Sequence, residues 1–314
     1  MTDPVLSIRG VHVRYRDVRA VDGVDLDVAP GEVLALVGES GCGKTSLIRS
    51  VIGLEPLAEG TVTVAGEHVT KRSLKRVRRL AQMIFQDPTG ALNPRHTVSA
   101  AVAEGIRIHR LDGDVRARVA DALARAGLRP PERFIERYPH ELSGGQRQRV
   151  LIAGAVALGP RVLLADEPVA SLDASIRGEI LALMRELVDR DGISIVAVTH
   201  DLGLAWNIAD RIAVMYLGRV VEVGPTEDVL ADPRHPYTRA LLSVVPEVAR
   251  MEPVVLAGEP PDPSKIPAGC RFHPRCPMVA SGEAARLGIE ARCRGEDVAL
   301  AGTTHQTACH AVAP

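Results

Sequence analysis

The chain has 314 residues, a length that accommodates about two domains. Charged residues make up 25% of the chain and the formal net charge is -1, which argues against a nucleic-acid partner attracted by overall charge. No stretch approaches the roughly 18 consecutive apolar residues of a membrane span, and residues 1–4 lack the basic and apolar regions of a signal peptide. We therefore expect a soluble, cytosolic protein.

The first predicted elements are two strands. Apolar residues alternate loosely over residues 5–13, which predicts an edge strand leading to Tyr15, and a second strand is expected over residues 21–28. Tyr15 lies upstream of a glycine-rich stretch, at a distance from which it could fold over a nucleotide and stack on its base. Taken alone, it is an ordinary strand tyrosine.

The glycine-rich stretch fits the phosphate-binding pattern G-x-x-x-x-G-K-[ST] at every constrained position. An apolar strand run over residues 32–37 precedes it and a helical pattern over residues 45–52 follows, which is the strand-loop-helix context of a P-loop. The stretch consists of Gly38, Glu39, Ser40, Gly41, Cys42, Gly43, Lys44 and Thr45.

These residue types suit phosphate binding. Glycines let consecutive backbone N–H groups approach phosphate oxygens, and the helix N-terminus adds partial positive charge. Lys44 is placed to reach the β- and γ-phosphates, and the Thr45 hydroxyl is placed to ligate Mg²⁺. Cys42 faces the same helix N-terminus and Lys44, so either its thiolate is stabilised and alkylation-sensitive or it is a small packed side chain.

Strand and helix patterns alternate after this helix. A strand bounded by glycines is expected over residues 60–66. The basic run at 71–80 has its apolar residues on one helix face, and a solvated face is favoured there over a membrane-surface or nucleic-acid patch. A buried strand over residues 83–88 then carries Gln86 near its end.

The region from residue 99 to 141 changes to Ala, Arg and Leu at helical spacing, which predicts a helical insertion between sheet elements. It closes on a Leu-Ser-Gly-Gly-Gln stretch at residues 142–146, and a helix is expected over residues 147–159. By itself, a serine-glycine-glycine turn before a helix indicates only an N-cap.

Two later strands bring polar groups to one sheet edge. Residues 161–168 form an apolar run that carries Asp166 and Glu167 at its end, and residues 193–200 form another that carries His200. Because ligands of parallel sheets bind beyond the carboxyl ends of the strands, these groups should lie beside the P-loop. There an Asp can hold Mg²⁺ through water, and a neighbouring Glu can polarise an attacking water.

The amino-acid composition changes past residue 230. Pro, Gly, Arg and Cys replace the long apolar periodicities, which predicts a loop-rich appendage with a linker at residues 260–263. Four thiols in a segment too polar for its own core suggest a metal site, and zinc or an iron–sulfur cluster both suit thiolates. Free thiols are the alternative. The cysteines are Cys270, Cys276, Cys293 and Cys309.

With these stretches in their observed order, residues 5 to 230 resemble the ATP-binding cassette (ABC) ATPases. The resemblance implies an α/β fold, a P-loop NTPase nucleotide-binding domain with a mixed sheet core and a helical subdomain at about residues 88–160. It also implies that Tyr15 stacks on adenine and that residues 38–46, through Ser46, bind the phosphates. The resemblance further implies a D-loop at Asp173 and catalysis by Lys44, Gln86, Glu167 and His200. It implies Mg²⁺ binding by Thr45, Gln86 and Asp166. It also implies contact with the nucleotide of the opposite subunit by Ser143, Gly144, Gly145 and Gln146.

The tail is similar to that of the dipeptide/oligopeptide importer ATPases, through the His-Pro-Tyr-Thr stretch at residues 235–238 and the Gly-Cys-x-Phe-x-x-Arg-Cys segment at 269–276. The similarity implies that the four cysteines hold a [4Fe–4S] cluster, with zinc as the alternative. We expect a cassette over residues 1–231 and an extension over residues 232–314.

The resulting expectation is an ATPase subunit that powers import of di- or oligopeptides from the cytoplasmic face of the inner membrane, as a peripheral protein. Its partners would be a second ATPase subunit, identical or homologous, two permease subunits and, indirectly, a peptide-binding protein, but not nucleic acid. Three alternatives remain: import of nickel or another small cargo, a soluble cassette ATPase acting on nucleic acid or the ribosome, and an iron–sulfur redox sensor.

Overall fold

The computed structural model describes residues 3–200, 202–245 and 253–312. Within this part of the chain the strands form two sheets. The smaller sheet is antiparallel, in the order β2-β1-β4-β5. Its strands are β1 (Leu6–Tyr15), β2 (Val18–Val28), β4 (Glu59–Val64) and β5 (Glu67–His68).

The larger sheet has a parallel centre. Its strands are β3 (Val33–Val37), β6 (Ala81–Ile84), β7 (Val162–Asp166), β8 (Ser194–Thr199), β9 (Arg211–Tyr216), β10 (Arg219–Pro225) and β11 (Gln306–Thr307). The order is β11-β10-β9-β3-β8-β7-β6, parallel from β9 to β6, with β10 and β11 added antiparallel at one edge. It is therefore a mixed sheet.

Helices cover both faces of the larger sheet or extend from it. They are α1 (Lys44–Val51), α2 (Leu74–Leu80), α3 (Pro88–Ala91), α4 (Val98–His109), α5 (Val115–Arg125), α6 (Gly144–Val156), α7 (Ala174–Asp191), α8 (Leu202–Ile208), α9 (Thr226–Ala231), α10 (Pro236–Ser243), α11 (Pro277–Ala280), α12 (Glu283–Arg286) and α13 (Glu290–Gly295). Among the described residues, no helix combines the length and apolar character that crossing a bilayer requires.

The central strands separate two hydrophobic cores. Every residue of β3, β7 and β8 is buried, as expected of parallel strands covered on both faces. Because side chains alternate along a strand, Leu163 and Ala165 pack with α4 to α7 on one face. Leu164 packs on the other face, with α1 and the smaller sheet.

Several predicted elements occur close to their expected positions, and one prediction was wrong. The helical insertion consists of α3 to α6, and the strands expected over residues 161–168 and 193–200 are β7 and β8. However, β1 is not an edge strand, because β4 pairs along its free side, with Leu6 opposite Val64. That partner arrives more than forty residues later, so the local alternation around β1 contained no sign of it.

The tail is more tightly integrated than a loop-rich appendage would be. Its strand β11 extends the larger sheet, with Thr307 opposite Glu222 of β10. A third core joins Tyr216 of β9 to Tyr237 and Phe272 of the tail, with ring centroids 4.7 to 5.4 Å apart. Edge-on and tilted aromatic contacts of this kind fix the tail against the end of the sheet.

Replacing Phe272 with Ala should therefore lower the free energy of unfolding by about 3 to 5 kcal/mol, because a buried aromatic leaves a cavity that its neighbours fill only in part. Urea unfolding followed by circular dichroism measures the change. Phe272 is 1% exposed, whereas Val255 is 90% exposed and provides the control substitution Val255→Ala. Equal midpoints for the two variants would show that the tail does not depend on this core.

Candidate active site

The phosphate loop lies between β3 and α1, and its glycines are required by geometry. Gly38, Gly41 and Gly43 have φ angles of 150°, 79° and 105°. A Cβ atom on Gly38 would collide with the Met215 carbonyl oxygen, and one on Gly43 with that of Ala20. Gly41 meets no atom within 4 Å, so its open side leaves the backbone accessible to a ligand.

The Lys44 ammonium group is held by the loop itself. Its Nζ donates to the carbonyl oxygens of Gly38 at 2.7 Å and Glu39 at 2.9 Å, and the residue is buried. These carbonyl contacts keep a positive charge at the centre of the loop. The site is thus arranged for an anion that approaches the backbone N–H groups.

Thr45 and Asp166, which were predicted from separate stretches, lie together. The Thr45 hydroxyl donates to Oδ1 of Asp166 at 2.8 Å. Asp166 is 3% exposed, and burial raises the pKa of its carboxyl group, although Thr45 and Arg49 oppose the shift. A hydroxyl and a carboxylate side by side are hard oxygen ligands, so these residues fit Mg²⁺, which would neutralise phosphate charge when bound.

Glu167 is held from both sides. The Gln86 amide Nε2 donates to Oε2 of Glu167 at 2.9 Å, and Nδ1 of His200 lies 3.0 Å from Oε1. The backbone of Glu167 has a φ of 46°, a conformation that non-glycine residues seldom adopt outside functional sites. Two side chains that follow β6 and β8 therefore meet at the carboxylate that follows β7.

A cavity of about 630 Å³ connects the loop to these groups. Tyr15 stands at its rim, 40% exposed, and its hydroxyl donates to Oγ of Ser46 at 3.2 Å. The predicted residues that line this cavity are Tyr15, Ser40, Gly41, Gly43, Lys44, Thr45, Ser46, Gln86, Glu167 and His200. Glu39 and Cys42 line a second cavity of about 280 Å³ on the tail side of the loop.

Comparison with known proteins agrees with this geometry. A family model described as ABC transporter matches residues 21–170, and one described as oligopeptide/dipeptide transporter, C-terminal region, matches residues 221–282. A putative peptide import ATP-binding protein of Brucella ovis is 43% identical over 288 residues, which cover 88% of this chain and 90% of that protein. This chain belongs to the ABC ATPases of the oligopeptide/dipeptide transporter family.

Other relatives extend the comparison. The oligopeptide transport ATP-binding protein AppF of Bacillus subtilis is 43% identical over 274 residues, 84% of this chain and 83% of AppF. Among solved structures, cbiO1 of Clostridium perfringens aligns with a TM-score of 0.67 at 30% identity, covering 74% of this chain and 92% of cbiO1. The predicted α/β cassette fold and the ATPase activity of the family are thereby confirmed.

A second solved structure is informative about assembly. The cassette MJ0796, described as a dimeric post-hydrolysis state bound to ADP and Pi, aligns with a TM-score of 0.63 at 29% identity, covering 70% of this chain and 98% of MJ0796.

The Leu-Ser-Gly-Gly-Gln stretch lies apart from the phosphate-loop cavity of its own cassette. Ser143 caps α6: its Oγ accepts the Gln146 N–H at 3.2 Å, and the Gln146 side chain accepts the Ser143 N–H at 3.0 Å. None of Ser143, Gly144, Gly145 and Gln146 is among the described residues that line the 630 Å³ cavity. Ser143 is exposed, so this helix N-terminus is open to another molecule.

The Cys42 thiol does not have the environment that a stabilised thiolate needs. Burial raises its pKa, and the Lys44 ammonium group, 3.7 Å from Sγ, offsets only part of this effect. The packed alternative is therefore supported over the alkylation-sensitive one. The local sequence showed the nearby cation but not that Cys42 is buried in the same core as Met215 of β9.

The four tail cysteines interact electrostatically but do not form a preassembled metal-ion site. Burial raises the pKa of Cys270 to about 12, and its three neighbours Cys276, Cys293 and Cys309 add to the shift. All five cysteines of the chain carry free thiols. Within residues 3–200, 202–245 and 253–312, no group of three or more His, Cys, Asp and Glu side chains could hold a metal ion.

One set of contacts to the site was not predicted. Glu39 of the phosphate loop is bound by Tyr237 and Arg275, both from the tail. The partners lie about two hundred residues away in sequence, so no local pattern could have paired them. The only signal was that both residues fall within the stretches by which the tail resembles its family.

The environment of Cys42 predicts slow alkylation. Because a raised pKa lowers the thiolate fraction at any given pH, iodoacetamide at about pH 7.5 should modify Cys42 more slowly than an unstructured cysteine of pKa about 8.5. The rate of Cys42 modification should also keep rising with pH above about 8.5. Peptide-level mass spectrometry measures both, with Cys42→Ser as the assignment control. Labelling as fast as a reference peptide at neutral pH would contradict the buried, protonated state.

Proposed function

We propose that this cassette ATPase powers the uptake of di- and oligopeptides across the inner membrane. The observation that carries the reaction is Glu167, held between Gln86 and His200 beside the phosphate loop. The cargo is supported by similarity through the tail, because the matched relatives are named as peptide import and oligopeptide transport proteins.

The site residues then have distinct roles. Lys44 and the loop N–H groups bind the β- and γ-phosphates of ATP, and Tyr15 offers its exposed ring to the adenine. Thr45 and Asp166 hold Mg²⁺, with Gln86 close by. Glu167 accepts the proton of the attacking water while His200 holds the carboxylate in place and faces the γ-phosphate.

A second cassette completes the site. Because residues 143–146 lie outside the cavity of their own chain, we infer that they contact nucleotide bound by an identical or homologous partner, with Asp173 near the shared interface. The dimeric state of the similar MJ0796 cassette supports this arrangement. ATP binding would close the pair, and hydrolysis would release it.

The membrane partners are two permease subunits, with a peptide-binding protein acting through them. A groove of about 580 Å³ between β6, α4 and α6 supports a docking site for a permease, and it is lined by apolar side chains that include Met83 and the exposed Phe85. Gln86, which donates to the Glu167 carboxylate, is the residue directly after Phe85. A permease bound in the groove would therefore lie next to a contact of the proposed base. The ATPase would thus sit on the cytoplasmic face of the membrane as a peripheral subunit.

We further propose a division at residue 231, with the cassette over residues 1–231, its helical subdomain at about 88–160, and the extension over 232–314. The two matched family regions, 21–170 and 221–282, support separate origins for the two parts.

In the extension, we propose that Cys270, Cys276, Cys293 and Cys309 hold a [4Fe–4S] cluster. Backbone N–H groups lower the pKa of three of these thiols against the effect of burial: that of Phe272 for Cys270, those of Met278 and Val279 for Cys276, and those of Ala311 and Val312 for Cys309. Such donors are typical around cluster thiolates.

Replacing Glu167 with Gln should lower ATP turnover by at least about 100-fold, because it removes the base but leaves the phosphate loop intact. Purified protein should still bind MgATP. In cells lacking the native gene, the variant should fail to restore uptake of a labelled tripeptide that the unaltered gene restores.

The matched control is Glu186→Gln, an exposed carboxylate on α7 that pairs with Arg190. It should behave as the unaltered protein in both assays. Unchanged turnover in Glu167→Gln would refute the assignment of the base. Loss of labelled nickel uptake rather than peptide uptake in the gene deletion would reassign the cargo, and copurification with nucleic acid or ribosomes would favour a soluble ATPase.

The cluster is tested by iron, sulfide and zinc analysis with an absorption spectrum on anaerobically purified protein. About four iron and four sulfide per chain are expected, the stoichiometry of a cubane. Cys270→Ser should lose most of the iron. Zinc, or no metal at all, would overturn this proposal without affecting the cassette.

A further inference from the structure

The phosphate loop is bound from outside the cassette at Glu39. Both carboxylate oxygens accept from Arg275, Oε2 from Nη1 at 2.7 Å and Oε1 from Nη2 at 3.1 Å. The backbone N–H of the same residue donates to the Tyr237 hydroxyl at 2.8 Å. Tyr237 and Arg275 belong to the tail, and we refer to these contacts as the Glu39 clasp.

The clasp has the geometry of a strong, fixed interaction. Two parallel N–H···O bonds from a guanidinium to a carboxylate define its orientation as well as its energy. The Arg275 side chain is 7% exposed and that of Glu39 27% exposed, so water screens the pair far less than it screens a surface pair. Their hydrogen bond is also the chief reason that the pKa of Arg275 is raised above its usual value.

The tail residues in the clasp are themselves immobilised. Arg275 ends the 3-10 helix His273–Arg275, directly after Phe272. Phe272 and Tyr237 pack against each other and against Tyr216 of β9. The hydroxyl and the guanidinium therefore reach Glu39 from a rigid aromatic core rather than from a mobile loop.

Glu39 is consequently bound on three sides. Arg275 holds its side chain, Tyr237 holds its N–H, and its carbonyl oxygen accepts from Lys44 Nζ at 2.9 Å. The Lys44 ammonium group is the phosphate-binding cation, so the clasp fixes the carbonyl that orients it. The Gly38 carbonyl holds the same cation at 2.7 Å, so a shift in Glu39 would remove one of the two carbonyl contacts of Lys44 and displace the adjoining N–H groups.

A second arginine of the same segment supports the other flank of the loop. Arg271 donates to the Leu217 carbonyl oxygen and to the carboxylate of Asp22. Gly218, the residue after Leu217, donates its N–H to the Cys42 carbonyl oxygen at 2.8 Å. The segment that begins at Cys270 and ends at Cys276 thus braces the phosphate loop at Glu39 and, through one intermediate, at Cys42.

We propose that Arg275 and Tyr237 are positioning residues for ATP binding, which act by holding Glu39, and that the tail is thereby part of the nucleotide site. The proposal rests on the phosphate-binding role assigned to the loop. It makes these two residues determinants of ATP affinity although neither lines the cavity that receives the nucleotide.

The test is the Kd for MgATP of full-length Arg275→Gln, together with kcat and KM for hydrolysis. Because small displacements of positioned groups have large effects, we expect Kd and KM to rise about tenfold with a smaller change in kcat at saturating ATP. Arg275→Lys, which keeps the charge but loses the fork, should recover only part of the affinity. Tyr237→Phe should weaken binding several-fold, since Glu39 loses one of its three restraints.

The matched control is Arg292→Gln. Arg292 also precedes a tail cysteine and pairs with a carboxylate, Glu296 at 3.2 Å, but the pair is exposed and away from the loop. Its Kd, KM and melting temperature should match those of the unaltered protein. Coupling is tested by Glu39→Gln, whose effect should not add to that of Arg275→Gln if both act through one contact.

The outcomes separate the possibilities. An unchanged Kd in Arg275→Gln with the fold intact would overturn the proposal, whereas a raised Kd with a melting temperature close to that of the control would support it. If Arg275→Gln fails to fold, Tyr237→Phe and Glu39→Gln decide in the same way. Failure of the unaltered protein to bind MgATP would refute the assigned role of the loop instead.

Discussion

The convergence of parallel strands at one edge is the constraint on which the site depends. The central strands β3, β7 and β8 are buried on both faces, which fixes their register and brings their carboxyl ends level. From that edge β3 continues into the phosphate loop, β7 ends on Asp166 with Glu167 next in sequence, and His200 follows β8. These side chains are therefore adjacent because hydrophobic burial aligned the strands, and their polar contacts refine positions that the sheet had already set.

This dependence explains which features were predictable from sequence. The apolar runs and the phosphate-loop pattern are local signals in the sequence. Because the carboxyl ends of parallel strands meet at one edge of a sheet, these signals predicted that Thr45 and Asp166 would lie close together. The same argument brought Glu167 and His200 to that edge. Pairing between distant segments left no local signal. For that reason β1 was misplaced at an edge, β11 was not expected, and the sequence left open whether Cys42 is a stabilised thiolate or a packed side chain.

The Leu-Ser-Gly-Gly-Gln stretch marks a different limit. Its capping hydrogen bonds are complete within one chain, and they account for the serine and the glutamine without any reference to nucleotide. This helix N-terminus is satisfied by its own cap and exposed, and its residues are not among the described residues that line the chain's own cavity. Only the resemblance to the ABC ATPases pointed to a second subunit at this position. The exposed helix N-terminus of one chain remains available to an anion held by another molecule.

The contacts of the tail lie within this chain, but the composition of the tail did not predict them. A segment rich in Pro, Gly, Arg and Cys lacks the periodicity that identifies core, yet Tyr237 and Phe272 are among the most buried side chains of the protein. The same aromatic core places a guanidinium on Glu39, so the residues that dock the tail also restrain the phosphate loop. The segment between Cys270 and Cys276 and the phosphate loop are therefore held together by contacts that belong to one aromatic core and one ion pair.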